Sequence, residues 1–274
     1  MKKISFLGIL GIMLISLSTK VYSQAYAGAD KVHEPFVYLY GGVYHPNIST
    51  DVTFYSPQFG ITNSINLEKD LNFPSNVNAG YFKTMIGSAG QISFSAYSVY
   101  RNGGAQLSHD IYVGDNIYRT TAMTFAYLNT TTYAASFRYS IFHTPVATAG
   151  LSLGGRWTYF DAGIASKDGE FSFSAKQTRW IPVILPGVHG SVYITPQLLG
   201  RVSYEYFSLA IKGTRGTVSS GEASLEYFIL RKLGIGASYS LLNYNITKFP
   251  DNEAFIRDIN YSLNGFTVFA AARF

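Results

Sequence analysis

The chain has 274 residues, of which 16% are aromatic and only 14% charged, with 22 Tyr, 20 Phe, 26 Gly and no cysteine. An ordinary soluble domain carries roughly 25% charge, and the lack of cysteine excludes a disulfide framework, thiolate chemistry and a lipid-bearing cysteine. The formal charge of +5 has no basic cluster behind it, which argues against nucleic acid as a partner.

Residues 1–23, "MKKISFLGILGIMLISLSTKVYS", join two lysines to a short apolar core and end in small residues near Val21 and Ser23. That is the plan of a signal peptide, and its core is too short to span a bilayer comfortably. Lys2, Lys3 and Lys20 leave with it, which takes the formal charge from +5 to +2. Residues 24–35 read as a short periplasmic lead ending at Pro35, and 36–274 as a single barrel domain. No later stretch approaches the roughly 18 consecutive apolar residues of a membrane helix.

From residue 36 onward, alternating segments of about ten residues recur, the length a tilted strand needs to cross a membrane. In Tyr133–Phe142, Tyr133, Ala135, Phe137, Tyr139 and Ile141 share one face, with Ala134, Ser136, Arg138 and Ser140 on the other. Leu151, Leu153, Trp157 and Tyr159 likewise oppose Ser152, Gly154, Arg156 and Thr158, and Ala223–Ile229 repeats the split. A water-washed sheet would fill its polar face with Lys and Glu. Here that face is Ser, Gly, Thr and isolated charges, which suits an enclosed lumen with hydrocarbon outside. An open sheet in lipid leaves edge amides unpaired, so the sheet must close.

Four tight connections, "IGSAG" (86–90), "HTPV" (143–146), "TPQ" (195–197) and "RKLG" (231–234), alternate with longer ones at 47–73, 102–130, 161–179, 213–221 and 247–257. Short periplasmic turns and long external loops follow this rhythm. The predicted fold is therefore an all-β, transmembrane, antiparallel up-and-down barrel with both termini periplasmic. Its ten crossings are expected near 36–46, 75–85, 91–101, 131–143, 148–160, 182–194, 199–211, 221–230, 234–246 and 259–274. The second external connection reads as a continued hairpin, pairing 91 with 143 and 105 with 129 around a turn at Gly114–Asn116. Leu107–Val113 and Thr121–Leu128 would then stand above the membrane, and if such extensions cross it the count becomes twelve.

The last strand, "GFTVFAAARF", places Phe266, Val268, Ala270, Ala272 and Phe274 on one apolar face. On these residues the chain resembles the outer-membrane β-barrel proteins of Gram-negative bacteria, whose final strand commonly ends in an aromatic residue. The resemblance implies that Phe274, with Phe266 and Val268, is an assembly signal read by the barrel-assembly machinery. "INLEKDLNF" (65–73) and "PVILPGVHGSVYITPQL" also resemble a barrel group with a Leu-Glu-x-Asp-Leu segment near the first hairpin, a likeness that implies no particular activity.

Inward parity gathers Arg101, Arg138, Arg156, Arg201 and Arg273 with Glu205, Glu222, Glu226 and His189. Opposite charges in a ten-stranded lumen can pair across it as a polar plug, or else line a narrow conduction path. The candidate catalytic pair is His189 and Ser191, two residues apart on one face and so about 7 Å apart on a strand. Outer-membrane lipid hydrolases carry a similar His-x-Ser followed by Asn, where this chain has Val192 and Tyr193. Parity turns the pair inward, away from the bilayer face.

Glu68 and Asp70, and Asp251 and Glu253, read as solvated loop charge or weak divalent-ion and lipopolysaccharide contacts. His33, His45, His109 and His143 lack metal-ligand spacing, so no metal or other cofactor is expected. Tyr38, Tyr40, Tyr44, Tyr97, Tyr100, Trp157, Tyr159, Trp180, Tyr239, Tyr244 and Tyr261 read as interfacial girdles near strand ends. The function expected is a non-enzymatic scaffold with a largely filled lumen that presents extended loops to a ligand. The alternatives are a narrow diffusion channel and an outer-membrane lipid or lipopolysaccharide hydrolase. Expected partners are outer-membrane lipid, lipopolysaccharide, the assembly machinery and an extracellular ligand.

Overall fold

A computed structural model describes residues 35–113, 116–120, 122–168, 171–211, 214–247 and 256–274. In chain order its elements are β1 (Val37–Ser56), β2 (Ile61–Asn66), α1 (Leu67–Asp70), β3 (Ala79–Gly87), β4 (Gly90–Gln106), β5 (Ile111–Val113), β6 (Asn116–Tyr118) and β7 (Met123–His143). Then follow β8 (Ala147–Asp168), β9 (Phe171–Tyr193), β10 (Leu198–Ile211), β11 (Thr214–Phe228), β12 (Leu233–Thr247) and β13 (Ile256–Arg273). Ten of the strands form an antiparallel barrel in the order β1-β3-β4-β7-β8-β9-β10-β11-β12-β13, and β2 joins the same sheet by pairing with the far end of β1. The barrel closes where β13 returns to β1, from Tyr38↔Arg273 to Phe54↔Ile256. The terminal Phe274 completes this seam: its N–H donates to Val37 O at 2.9 Å, and its carbonyl accepts from Phe36 and Val37 at 2.7 and 3.0 Å. The barrel has ten strands, not twelve.

Alternation decides which residue faces which medium. Val43, Phe82, Ile92, Phe137, Leu153, Ile184, Leu225, Ile235, Phe266 and Val268 all project from the outer wall, where hydrocarbon accepts them without cost. Pro35, Phe274 and the tight turns sit at one end of the barrel, the turn end; the longer hairpins rise from the other, the loop end. β8 and β9 overhang furthest and stay paired as far as Asp168↔Phe171.

Three expectations are corrected. Gln91 pairs with Arg138 and Ala105 with Thr124, a register five residues away from the expected one. Leu107–Val113 does not extend the barrel wall. β5 pairs with β6 instead, and Leu107, Ile111, Val113 and Tyr118 are buried; apolar side chains above a membrane gain more from folding over the mouth than from standing in water. The turn at Gly114 and Asp115 lies outside the described residues, as do the leader and all of the lead but Pro35.

Nor are all the tyrosines a girdle. Tyr100, Trp157, Trp180 and Tyr239 do face outward, but Tyr38, Tyr40, Tyr44, Tyr244 and Tyr261 are buried in the lumen. There each ring fills space while its hydroxyl finds a partner: Tyr244 meets Thr158 at 2.7 Å and Tyr261 meets Thr130 at 2.9 Å. Tyr97 packs edge-on to Tyr44, 5.5 Å between centroids.

Candidate functional site

The lumen has two parts. At the turn end, Tyr38, Tyr40, Met85, Tyr193, Leu199, Phe228, Phe269 and Ala271 form a buried apolar layer. Arg273 stacks over Phe228 at 3.8 Å and donates to Arg231 O and Tyr193 Oη. Above it, Arg201 pairs with Glu226 at 2.9 Å and lies 4.4 Å over the Tyr38 ring, while Tyr40 donates to the same carboxylate. Lys83 reaches across to Glu222 at 2.7 Å. Arg156 lies 3.9 Å from Glu205 and donates to Ser220 at 2.8 Å. A small polar space runs among Lys83, Arg138, Arg156, Glu205 and Glu222.

Lys83 and Glu222 link opposite walls of the barrel, β3 to β11, whereas Arg201–Glu226 ties the neighbouring strands β10 and β11 and Arg156–Glu205 reaches from β8 to β10. Lys83 was not among the charges singled out from the sequence. It shares the inward face of β3 with Tyr81 and Met85, and a strand that carries apolar residues on both faces gives parity little contrast. The usable signal was the charge itself, because a lysine within a crossing segment must face the lumen.

At the loop end the lumen turns apolar. Val52, Phe54, Ile65, Leu67, Leu71, Ala126, Leu128, Phe160, Ile164, Ile181 and Ile259, joined by Gln177 and Arg179, line a space of about 800 Å³ including its open mouth. The sequence reading of a uniformly polar lumen misses this half, because parity separates inside from outside but not one depth from another.

α1 forms one wall of the pocket. Asn66 caps it by accepting from the Lys69 N–H at 2.9 Å, and Asp70 accepts from the Asn66 N–H at 2.8 Å, which sets Leu67 and Leu71 inward. Glu68 accepts from the Thr50 N–H at 2.8 Å and from buried Arg101, which also donates to Thr50 Oγ1 at 2.6 Å. Glu68 and Asp70 are thus structural acceptors rather than solvated loop charge. Asp251 and Glu253 lie outside the described residues. Gly103 permits the packing, since a Cβ there would lie 2.3 Å from Leu71 O.

His189 and Ser191 are both on the inner face of β9 but have separate partners. His189 Nε2 meets Ser140 Oγ at 3.3 Å, and Ser191 Oγ meets Thr148 Oγ1 at 2.8 Å. Among the described residues no three His, Asp or Glu side chains gather into a metal site.

No family model matches the chain, and no curated protein matches it. Among solved structures it is similar to the outer membrane protease OmpT from Escherichia coli, with a TM-score of 0.55 and 11% identity over 86% of this chain and 97% of that one. The chain has the outer-membrane β-barrel fold. It also aligns with Ail of Yersinia pestis (TM-score 0.33, 10% identity, 86% of this chain and 99% of that one). A third match is OprG from Pseudomonas aeruginosa (TM-score 0.34, 10% identity, 89% and 99%).

Proposed function

We propose that the protein is a non-enzymatic barrel of the bacterial outer membrane, with periplasmic termini, that binds a ligand at its extracellular end and conducts little or nothing. One observation carries this reading: the turn end is filled by an aromatic layer and lumenal ion pairs, whereas the loop end holds an apolar pocket. A recess lined mostly by apolar side chains with a few polar groups is the usual form of a small-molecule site. The separate partners of His189 and Ser191 favour binding over hydrolysis. The outward placement of Phe266, Val268 and Phe274 supports their reading as the assembly signal.

Planar-bilayer recording tests the conducting alternative. The purified chain should insert without discrete conductance steps, and stable open steps at neutral pH would replace the scaffold with a diffusion channel. The hydrolase alternative requires lipid or lipopolysaccharide cleavage that Ser191→Ala abolishes.

A further inference from the structure

The barrel wall is incomplete along one seam. β9 and β10 pair only from Leu199↔Tyr193 to Glu205↔Gly187, seven rungs. Above that point β9 follows β8 alone, to Asp168↔Phe171, and β10 follows β11 alone, to Ile211↔Thr214. The other short seams flank β3, and there the space beyond the strand is taken by the α1 segment, tied to β1 by the Ile48 N–H to Ser75 O bond at 2.7 Å.

The sequence of β9 accounts for the split. Tyr193 donates its N–H to Val146, on the β8 side, and Ile194 donates to Leu198, on the β10 side. Backbone direction alternates along a strand, so even-numbered residues of β9 aim their nitrogens at β10. Pro182 and Pro186 are both even, and neither has a hydrogen to donate. Continued pairing would set Pro186 opposite Tyr206 and Pro182 opposite Ala210, so two of the next three donors on the β9 side are missing. Gly187 marks the last rung: a Cβ there would lie 2.4 Å from Tyr204 O, so only glycine lets the strands come this close before they part.

The split lies at the level of the bilayer. Its outer flanks are Ile184 on β9 and Tyr206 and Ser208 on β10, all exposed, directly above the outward Val188 and Tyr204 of the last paired rungs. Just above, the Tyr159 and Trp180 rings pack at 4.9 Å on the outer wall, the arrangement of an interfacial belt. The free stretch of β9 also carries Ala175, Gln177, Arg179 and Ile181, a wall of the apolar pocket. Unpaired strand edges facing lipid are costly, and here the cost is placed where it joins hydrocarbon outside to an apolar space inside.

We infer that the pocket takes an acyl chain of an outer-leaflet lipid, which enters sideways between β9 and β10, with Gln177 and Arg179 beside its polar end. This rests on the reading of the pocket as a ligand site. The test uses the full mature chain in phosphatidylethanolamine vesicles containing phosphatidylglycerol with a diazirine at the end of one acyl chain. After irradiation, peptide mapping should find adducts on the pocket wall, at Leu128, Phe160 or Ile164, as well as on outward residues such as Val268.

Pro182→Val/Pro186→Val, which restores both donors, should lower the pocket adducts at least fivefold and leave those at Val268 unchanged. The chain has no cysteine of its own, so Ile184→Cys/Ser208→Cys can be bridged by a reducible bifunctional maleimide. Bridging should lower pocket labelling to the same extent, and reduction should restore it in the same molecules. This second arm decides the matter if the proline variant fails to fold.

Pocket adducts that persist at the original level in both blocked forms would overturn lateral entry and leave the site itself standing. Labelling of the pocket only by a short-chain diazirine fatty acid supplied from water would overturn it in the same way. No pocket adduct with either probe would remove both the inference and the binding reading beneath it.

Discussion

Glu222 and Lys83 show what a charge inside the barrel requires. The pair joins β11 to β3 across the lumen at 2.7 Å, with the lysine almost wholly enclosed. Removing one partner strands the other away from water, which costs about 3–5 kcal/mol, whereas replacing both with apolar groups of similar volume is often neutral. Glu222→Leu alone should therefore lower the urea midpoint of the vesicle-inserted barrel by an amount worth about 3 kcal/mol. Lys83→Met/Glu222→Leu should return to within about 1 kcal/mol of the parent. Equal losses in the single and double variants would mean that the pair is not coupled across the lumen. Arg201 is held differently, because Tyr40 shares its carboxylate and Tyr38 lies under its guanidinium. Removing the whole pair there would leave a tyrosine hydroxyl without its acceptor.

The β5–β6 hairpin is the element least legible in the sequence and the one whose burial has the clearest chemical signature. Leu107–Val113 alternates as a wall strand does, and nothing in the alternation separates a strand that continues upward from one that folds over the mouth. The expected register failed for a different reason: the shift of five residues is odd, so the expected pairing would have set outward Phe94 opposite inward Ser140, and parity itself excludes it. The structure fixes the hairpin by burying Tyr118, whose hydroxyl has no hydrogen-bond partner among the described residues. Burial pushes this phenol up to about 12. The folded hairpin therefore holds its proton more tightly than an unfolded tyrosine with an ordinary value near 10. Its contribution to stability is complete below pH 10 and declines as pH rises toward 12. A spin label at exposed His109→Cys should become mobile over that interval. In Tyr118→Phe the label should stay immobile throughout, and Tyr118→Phe should itself be neutral or stabilising by about 1 kcal/mol, because it removes an unpaired buried hydroxyl. A parent label still immobile at pH 12 would show that Tyr118 does not hold the hairpin down.

At the scale of the whole molecule, the bilayer made the architecture legible. Its thickness sets the recurring strand length, its lack of hydrogen-bonding partners demands closure, and the outward apolar face was readable from Tyr133–Phe142 alone. The division of the lumen by depth was not readable, because Tyr38, Tyr44 and Tyr261 look alike on either side of a wall that is apolar on both faces. That division determines which part of the molecule blocks conduction. β4 and β7 remain paired up to Gln106↔Met123, so replacing residues 107–122 with a short Gly-Ser turn removes the cover of the mouth without unpairing the wall. If the block lies among the ion pairs and the aromatic layer at the turn end, this excision should fold, shift mobility on heating as the parent does, and still show no discrete steps in a planar bilayer. Replacing Arg156, Arg201, Glu205 and Glu226 together with serine, while keeping residues 107–122, removes two lumenal ion pairs and their side-chain volume, and it should produce open steps. The reverse outcome, conduction from the excision and none from the serine variant, would move the block to the loop end and leave the ion pairs with a purely structural role.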